Sequence, residues 1–199
     1  MSTKRLLNQT IADWNLLDHP FYRAWSAGTL PVDALRTYAR EYGAFINILP
    51  RGWETLHDEE TAAEEREHVA MWASFAGALG THVNGAPGIR EVSDLTQTAD
   101  LLFSQPSTAL GGLYAFEAQQ PATAQSKLDG LRAHYQLPAA VEPYFEVHSH
   151  NEHEARKILA QIEGLSPAEQ EQAQKACESM AAALWNALSG IYNEDCQAH

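Results

Sequence analysis

The decapeptide "EVHSHNEHEA", residues 146–155, places three histidines and three glutamates in ten positions. Imidazoles and carboxylates are the donors that mixed nitrogen and oxygen sites offer to iron or manganese. The plain alternative is a solvated helix face. A helical wheel separates the two readings. With His148 at the origin and about 100° per residue, Tyr144, Glu152, Ala155, Leu159 and Ile162 fall within roughly 40° of it. Glu146, His150, His153 and Lys157 cluster on the opposite side. His148 and Glu152 thus share the apolar stripe, where an ionised glutamate is costly unless it is paired or binds a metal.

The same test finds inward polar groups elsewhere. Glu117, in "LYAFEAQQPATAQSKLDGL", shares its face with Leu110, Leu113, Ala124, Leu128, Leu131 and Tyr135. Pro121 follows four residues later, so the Glu117 carbonyl loses its helical partner and a kink is expected there. In "EETAAEEREHVAMWASFAGALG", His68 lies with Met71, Trp72, Phe75 and Leu79, and Thr61 sits on that face two turns earlier. Glu65-x-x-His68 has the Glu-x-x-His spacing of di-iron carboxylate bundles, a weak motif on its own. Glu60, Glu64 or Glu65 is available as a third acid beside His68, Glu117, His148 and Glu152. Glu41, among Ala34, Thr37, Phe45 and Ile48, is as readily a buried ion pair with an arginine as a site residue.

Helices must carry these groups, because apolar spacing of three and four recurs along the chain and strand-like alternation is nearly absent. The pattern predicts helices at about 5–17, 20–27, 31–48, 51–57, 60–80, 91–103, 107–120 continuing past Pro121 to 135, 138–163 and 167–193. Pro31 and Pro167 fit first helical turns. Neither a repeat nor a linker interrupts the 199 residues, which predicts one all-α domain. A formal charge of −13 argues against nucleic acid and anionic membranes. No apolar run is long enough to span a bilayer and the N-terminus lacks a signal-like apolar stretch, so a cytoplasmic location is expected. Cys177 and Cys196 form no zinc or disulfide pattern. A homodimer is expected by base rate.

The segments "HPFYRAWSAGTL", "LRTYAREYGAF", "HVAMWASFAGALG", "LYAFEAQQPATAQSKLDGL", "PYFEVHSHNEHEA" and "ALWNALSGIY" resemble, in order and spacing, the heme-oxygenase-like di-metal oxidases related to TenA and PqqC. The likeness is greatest to the subgroup that makes para-aminobenzoate for folate, typified by the chlamydial protein associating with death domains. The resemblance implies a helical bundle with a di-iron or iron–manganese centre that activates O₂. It matches His68, Glu117, His148 and, by a conservative change, Glu152 to metal ligands. It matches Lys127 to the lysine linked to amination and Tyr144 to a site tyrosine. Tyr22, in "HPFY", is the nearest counterpart of a tyrosine consumed as precursor. Three positions depart from the pattern: Thr61 stands at the first glutamate, with Glu60 and Glu64 as neighbouring acids able to substitute; Ala155 stands at the last histidine, and Phe116 at a tyrosine. A dinuclear, a mononuclear and an empty site all remain open on these departures.

Two functions follow as expectations. One is a metal-dependent oxidoreductase acting on a small molecule and O₂, with Lys127, Tyr144 and Tyr22 as catalytic residues. The other is a metal-free protein of the same fold binding a small aromatic or heterocyclic ligand. A thiaminase is disfavoured because neither cysteine sits in a nucleophile context, and a pure interaction protein has no use for inward carboxylates.

Overall fold

The computed structural model describes residues 2–83, 85–151 and 153–196, and every regular element among them is helical. In chain order these are α1 (Thr3–Asp13), α2 (Pro20–Ser26), α3 (Val32–Ile46), α4 (Leu49–Thr55), α5 (Glu59–Ala78), α6 (Arg90–Leu102), α7 (Pro106–Glu117), α8 (Gln120–His134), α9 (Pro143–His148), α10 (His153–Glu163) and α11 (Pro167–Cys196). Short 3₁₀ turns at Leu16–Asp18 and Ala139–Val141 lead into α2 and α9.

α11 is the spine. Its buried residues Ala173, Cys177, Met180, Ala181, Leu184, Leu188 and Ile191 recur every three or four positions and face α7 and α6, with α3 and α1 alongside. The α7–α11 crossing is close because Gly111 has no side chain. A Cβ built there would lie 1.9 Å from the Ala173 carbonyl oxygen, a backbone atom that cannot swing aside. α10 also packs on α7, while α5 packs on α4 and α3 and also touches α9. An aromatic heart of Phe21, Trp25, Tyr38, Tyr42, Phe45, Trp72, Phe75, Tyr144 and Phe145 joins α2, α3, α5 and α9.

Two of the expected long helices are interrupted. The segment 107–135 breaks at residues 118 and 119, and Pro121 falls in the first turn of α8, where its missing N–H does no harm. The segment expected as one helix over 138–163 is three pieces: the 3₁₀ turn, α9 and α10. After His148 the Ser149 hydroxyl donates to the Glu146 carbonyl, and Asn151 N–H reaches back only to the His148 carbonyl. Serine and asparagine favour such local bonds over continued helix. The interruption resets the helical phase. In α10 the buried stripe is Glu154, Ile158 and Ile162, a spacing of four. No helix among the described residues is long and apolar enough to cross a membrane.

Gly111→Ala is expected to lower the melting temperature, with a loss of about 1–3 kcal/mol or more from overpacking against α11. Thermal unfolding of the parent and variant checks this, and an unchanged midpoint would mean that the crossing yields freely.

Candidate metal centre

Four helices supply the polar groups that converge in the core. Glu65 and His68 come from the buried face of α5, which reads Thr61, Glu65, His68, Trp72, Phe75. Glu117 is the last residue of α7, His148 the last of α9, and Glu154 lies in the first turn of α10. All five are buried. Carboxylate oxygens of Glu65, Glu117 and Glu154 lie within 4.8 Å of one another. One oxygen of Glu117 and both oxygens of Glu154 are buried without a hydrogen-bond partner among the described residues.

The imidazoles border this trio. His68 Nδ1 lies 3.3 Å from Glu65 Oε1, and the His68 and His148 rings are 4.3 Å apart, edge to face. His148 Nδ1 is 2.6 Å from the Tyr144 carbonyl oxygen. A carbonyl only accepts, so Nδ1 carries the proton and Nε2 presents its lone pair. The Tyr144 ring stacks on His148 at 4.1 Å and fixes its plane, and the Tyr144 hydroxyl accepts from Gln120 Nε2 at 3.0 Å.

Burial dominates the protonation of these groups. It raises Glu117 well above the usual carboxylate range, and the charges of Glu154 and Glu65 raise it further. Glu65 is raised by burial against the opposing pull of His68. Burial lowers His68, but the hydrogen bond and charge of Glu65, with Glu154 and Glu64, outweigh it and the net shift is upward. The Glu65–His68 pair thus holds a proton firmly. His148 is pushed down to about 3 by burial and then by His68, and stays neutral.

A second group lies across the aromatic layer. The path runs from His148 to Tyr144, from Tyr144 to Trp72 at 4.8 Å, and from Trp72 to Tyr38 at 5.3 Å. Lys127 Nζ donates to the Tyr38 hydroxyl at 3.3 Å and sits 5.1 Å from the centres of the Tyr22 and Phe145 rings. Tyr22 and Tyr38 share a hydrogen bond of 3.2 Å. Burial alone brings the Lys127 ammonium down to about 7.

Of the residues singled out in the sequence, His68, Glu117 and His148 come together, and Tyr144, Lys127 and Tyr22 line the adjoining aromatic chamber. Glu64 is exposed at the rim, where its carboxylate lies within 4.8 Å of ligand atoms of His153 and Glu154. Glu60 is exposed on α5 and is not among the converging acids, because the helix turns positions 61, 65 and 68 inward and leaves 60 outside. Glu152 lies outside the described residues. Glu154 escaped the wheel because a continuous helix puts it off the stripe; its spacing of four from Ile158 and eight from Ile162 was the available signal. Tyr38 and Gln120 also escaped it. Glu41 is an ion-paired cap: it meets Arg40 Nε at 3.1 Å and accepts from the Gly88 and Ile89 N–H groups. Cys177 is fully buried and its thiol is pushed up to about 12 by burial, so it is no nucleophile.

Glu117 and Ala155 line a surface mouth of about 410 Å³ together with Ala118, Pro121, Ala122, Gln125 and Ser149.

A family model described as iron-containing redox enzyme matches residues 49–187. The chain is 32% identical, over an alignment of 235 positions covering 97% of it and 92% of the relative, to the protein named 4-aminobenzoate synthase of Nitrosomonas europaea. It is 28% identical to the protein of the same name from Chlamydia pneumoniae, with 94% of each chain covered. Among solved structures, a domain of unknown function with a heme oxygenase-like fold from Shewanella denitrificans superposes with a TM-score of 0.80 at 15% identity, covering 98% of this chain and 93% of that one. A TenA homolog from Pseudomonas syringae gives 0.77 at 12% identity, covering 96% and 93%. These structural likenesses establish the heme-oxygenase-like fold.

Lys127 generates a pH test. A base with a lowered folded pKa binds fewer protons folded than unfolded between about 7 and 10.5, so its burial cost is full at or below pH 7 and fades toward 10.5. Lys127→Met is expected to raise the melting temperature at pH 7 and to lose that advantage as the pH approaches 10. An equal gain at both pH values, read by thermal melts of parent and variant, would contradict a depressed Lys127.

Proposed function

Because the chain belongs to the family of iron-containing redox enzymes, we propose that it is an oxidase that uses O₂ at an iron or mixed iron–manganese site and acts in the formation of 4-aminobenzoate. The observation that carries this reading is the convergence of three buried carboxylates, Glu65, Glu117 and Glu154, beside two imidazoles, with one oxygen of Glu117 and both of Glu154 unpartnered among the described residues. Such a set fits a divalent metal: carboxylates supply charge, the His148 Nε2 lone pair supplies a nitrogen donor, and mixed nitrogen and oxygen ligands suit iron and manganese. Without a cation, burial and the neighbouring charges favour the protonated forms of Glu117 and Glu65. Glu65, His68, Glu117, His148 and Glu154 would hold the metal. When bound there, iron would supply redox chemistry toward O₂.

The chain's own residues prepare the neighbourhood. Tyr144 holds His148 in one tautomer through its carbonyl and in one plane through its ring. The aromatic layer of Tyr144, Trp72 and Phe145 keeps bulk water from the Lys127 chamber. There, an amine brought near neutrality can take a proton from a bound molecule or act as a nucleophile, while burial keeps Tyr38 a neutral phenol that accepts the Lys127 hydrogen bond. The 5.1 Å between Lys127 Nζ and the Tyr22 ring centre sets a primary amine against a phenol. That pairing, together with the name carried by the two relatives, supports the assignment to 4-aminobenzoate formation.

Metal analysis of protein from iron- and manganese-supplemented cells tests the proposal, with bound metal expected. Protein that stays metal-free after anaerobic reconstitution with iron(II) would leave the ligand-binding alternative. Glu117→Gln is expected to lose most of the iron. In the metal-free state it should also melt higher than the parent at pH 7, because an acid with a raised folded pKa costs stability as the pH climbs above about 4.5. Iron content unchanged in this variant would remove Glu117 as a ligand. Ala155→His is expected to raise metal content, since position 155 borders the same mouth as Glu117.

A further inference from the structure

We propose that Gln119 and Trp25 are positioning residues for the amine–phenol pair of Lys127 and Tyr22: they pin α2 to α8 on either side of that pair and so fix how the phenol ring meets the amine. Helix α2 has only seven residues, and a helix that short has no stable orientation of its own. Its neighbours must impose one. At the leading end, the Gln119 side-chain oxygen accepts from the Leu16 N–H at 2.8 Å, in the turn that leads into α2. The Gln119 amide nitrogen donates to the Ala115 carbonyl at 3.1 Å. That carbonyl is open because the α7–α8 break sends the Gln119 backbone N–H to Phe116 instead. One buried amide thus serves two backbone groups from different elements. His19, at the start of α2, is also held to Ser189 of α11 at 2.9 Å, so that loss of a tie to α8 shifts α2 rather than releasing it.

At the trailing end, Trp25 Nε1 donates to the Lys127 carbonyl at 3.2 Å, so the indole is tied to the backbone of the lysine itself. Gly130 lets the ring approach: a Cβ built there would lie 2.8 Å from Trp25 Cδ1 and 3.1 Å from the Trp25 carbonyl oxygen. The same indole meets Tyr38 and Phe145 edge to face at 5.5 and 5.9 Å. Those two rings, with Tyr22, surround Lys127 Nζ. Gln119 and Lys127 are separated by about 12 Å along the helix axis, and Tyr22 lies between the two ties in the chain of α2. Neither Gln119 nor Trp25 reacts; each acts through the Tyr22 and Lys127 side chains. Their importance for the reaction rests on the part proposed above for Lys127 and Tyr22, whereas the placement itself needs no metal.

Formaldehyde reads this geometry in the metal-free full chain. It condenses with a neutral amine with loss of water. A phenol ring carbon beside the hydroxyl-bearing carbon then attacks the iminium carbon and gives up its proton, which leaves a methylene bridge between the lysine nitrogen and the ring. Burial brings Lys127 down to about 7, so the neutral amine is present near neutral pH. Peptide mass spectrometry gives the ratio of Lys127–Tyr22 to Lys127–Tyr38 bridges, the two ring centres lying 5.1 and 5.7 Å from Nζ. Both bridges are expected in the parent. Gln119→Met and Trp25→Phe should each lower the Tyr22 share by about 10- to 100-fold, and the same variants loaded with iron should lose 4-aminobenzoate formation in proportion. Gly111→Ala, which strains the α7–α11 crossing, should lower the melting temperature and leave the ratio unchanged. Absence of the Tyr22 bridge from the parent, a ratio unmoved in the folded variants, or one moved equally by Gly111→Ala would overturn the positioning roles. The expected ratios in a chain that forms no 4-aminobenzoate when loaded with iron would count against the proposed function alone.

Discussion

Three carboxylates lie within 4.8 Å of one another in the protein interior, where burial and mutual charge disfavour the ionised forms of Glu117 and Glu65. Much of this molecule is arranged around that constraint. Glu65, Glu117 and Glu154 come from α5, α7 and α10, so their repulsion is borne by the packing of three helices rather than by one flexible segment. That packing is anchored elsewhere. The Gly111–Ala173 approach locks α7 to α11, and α10 lies against α7. Lys157 reaches from α10 to Asp58 and Thr61 at the start of α5 and ties the two helices together. Protons or metal must then supply the positive charge that the backbone arrangement withholds.

An aromatic layer separates two chemistries in the core. On one side are the acids and two imidazoles, one holding a proton with Glu65 and one kept neutral. On the other side Lys127 lies among Tyr22, Tyr38 and Phe145 with no carboxylate partner among the described residues, and burial lowers its protonation. Tyr144 and Trp72 form the wall between them. A wall of aromatic rings excludes water from the lysine chamber while leaving ring-to-ring contact from His148 to Tyr38. The large aromatic share of the core is therefore part of the site as well as of the packing.

The helical class and the inward positions of His68, Glu117 and His148 were legible because each lies within an unbroken stretch of apolar spacing, where the wheel is a faithful projection. Lys127 and Tyr22 were legible only through resemblance, since spacing gives no reason to prefer them over other core-facing residues. The wheel fails over residues 146–155. Projected as one helix, residues 138–163 place Ala155 inward and leave Glu154 aside. A break after His148 rotates everything downstream, so that Glu154 joins Ile158 and Ile162 on the buried stripe and His153 turns to the rim. Ser149 and Asn151 signal that a break is permitted; where the chain resumes is fixed by the fit of α10 against α7.

The sequence by itself determined that this chain is helical, acidic and furnished with carboxylates and imidazoles at core-facing positions, because those properties follow from composition and from spacing within single helices. The tertiary structure decided which carboxylates meet. Glu65 rather than Glu60 faces the cluster because of how α5 rolls against α3 and α4, and Glu154 enters it because α10 starts afresh. Convergence is a relation between helices, and the phase of one helix relative to another is set by packing, which no single-helix pattern contains.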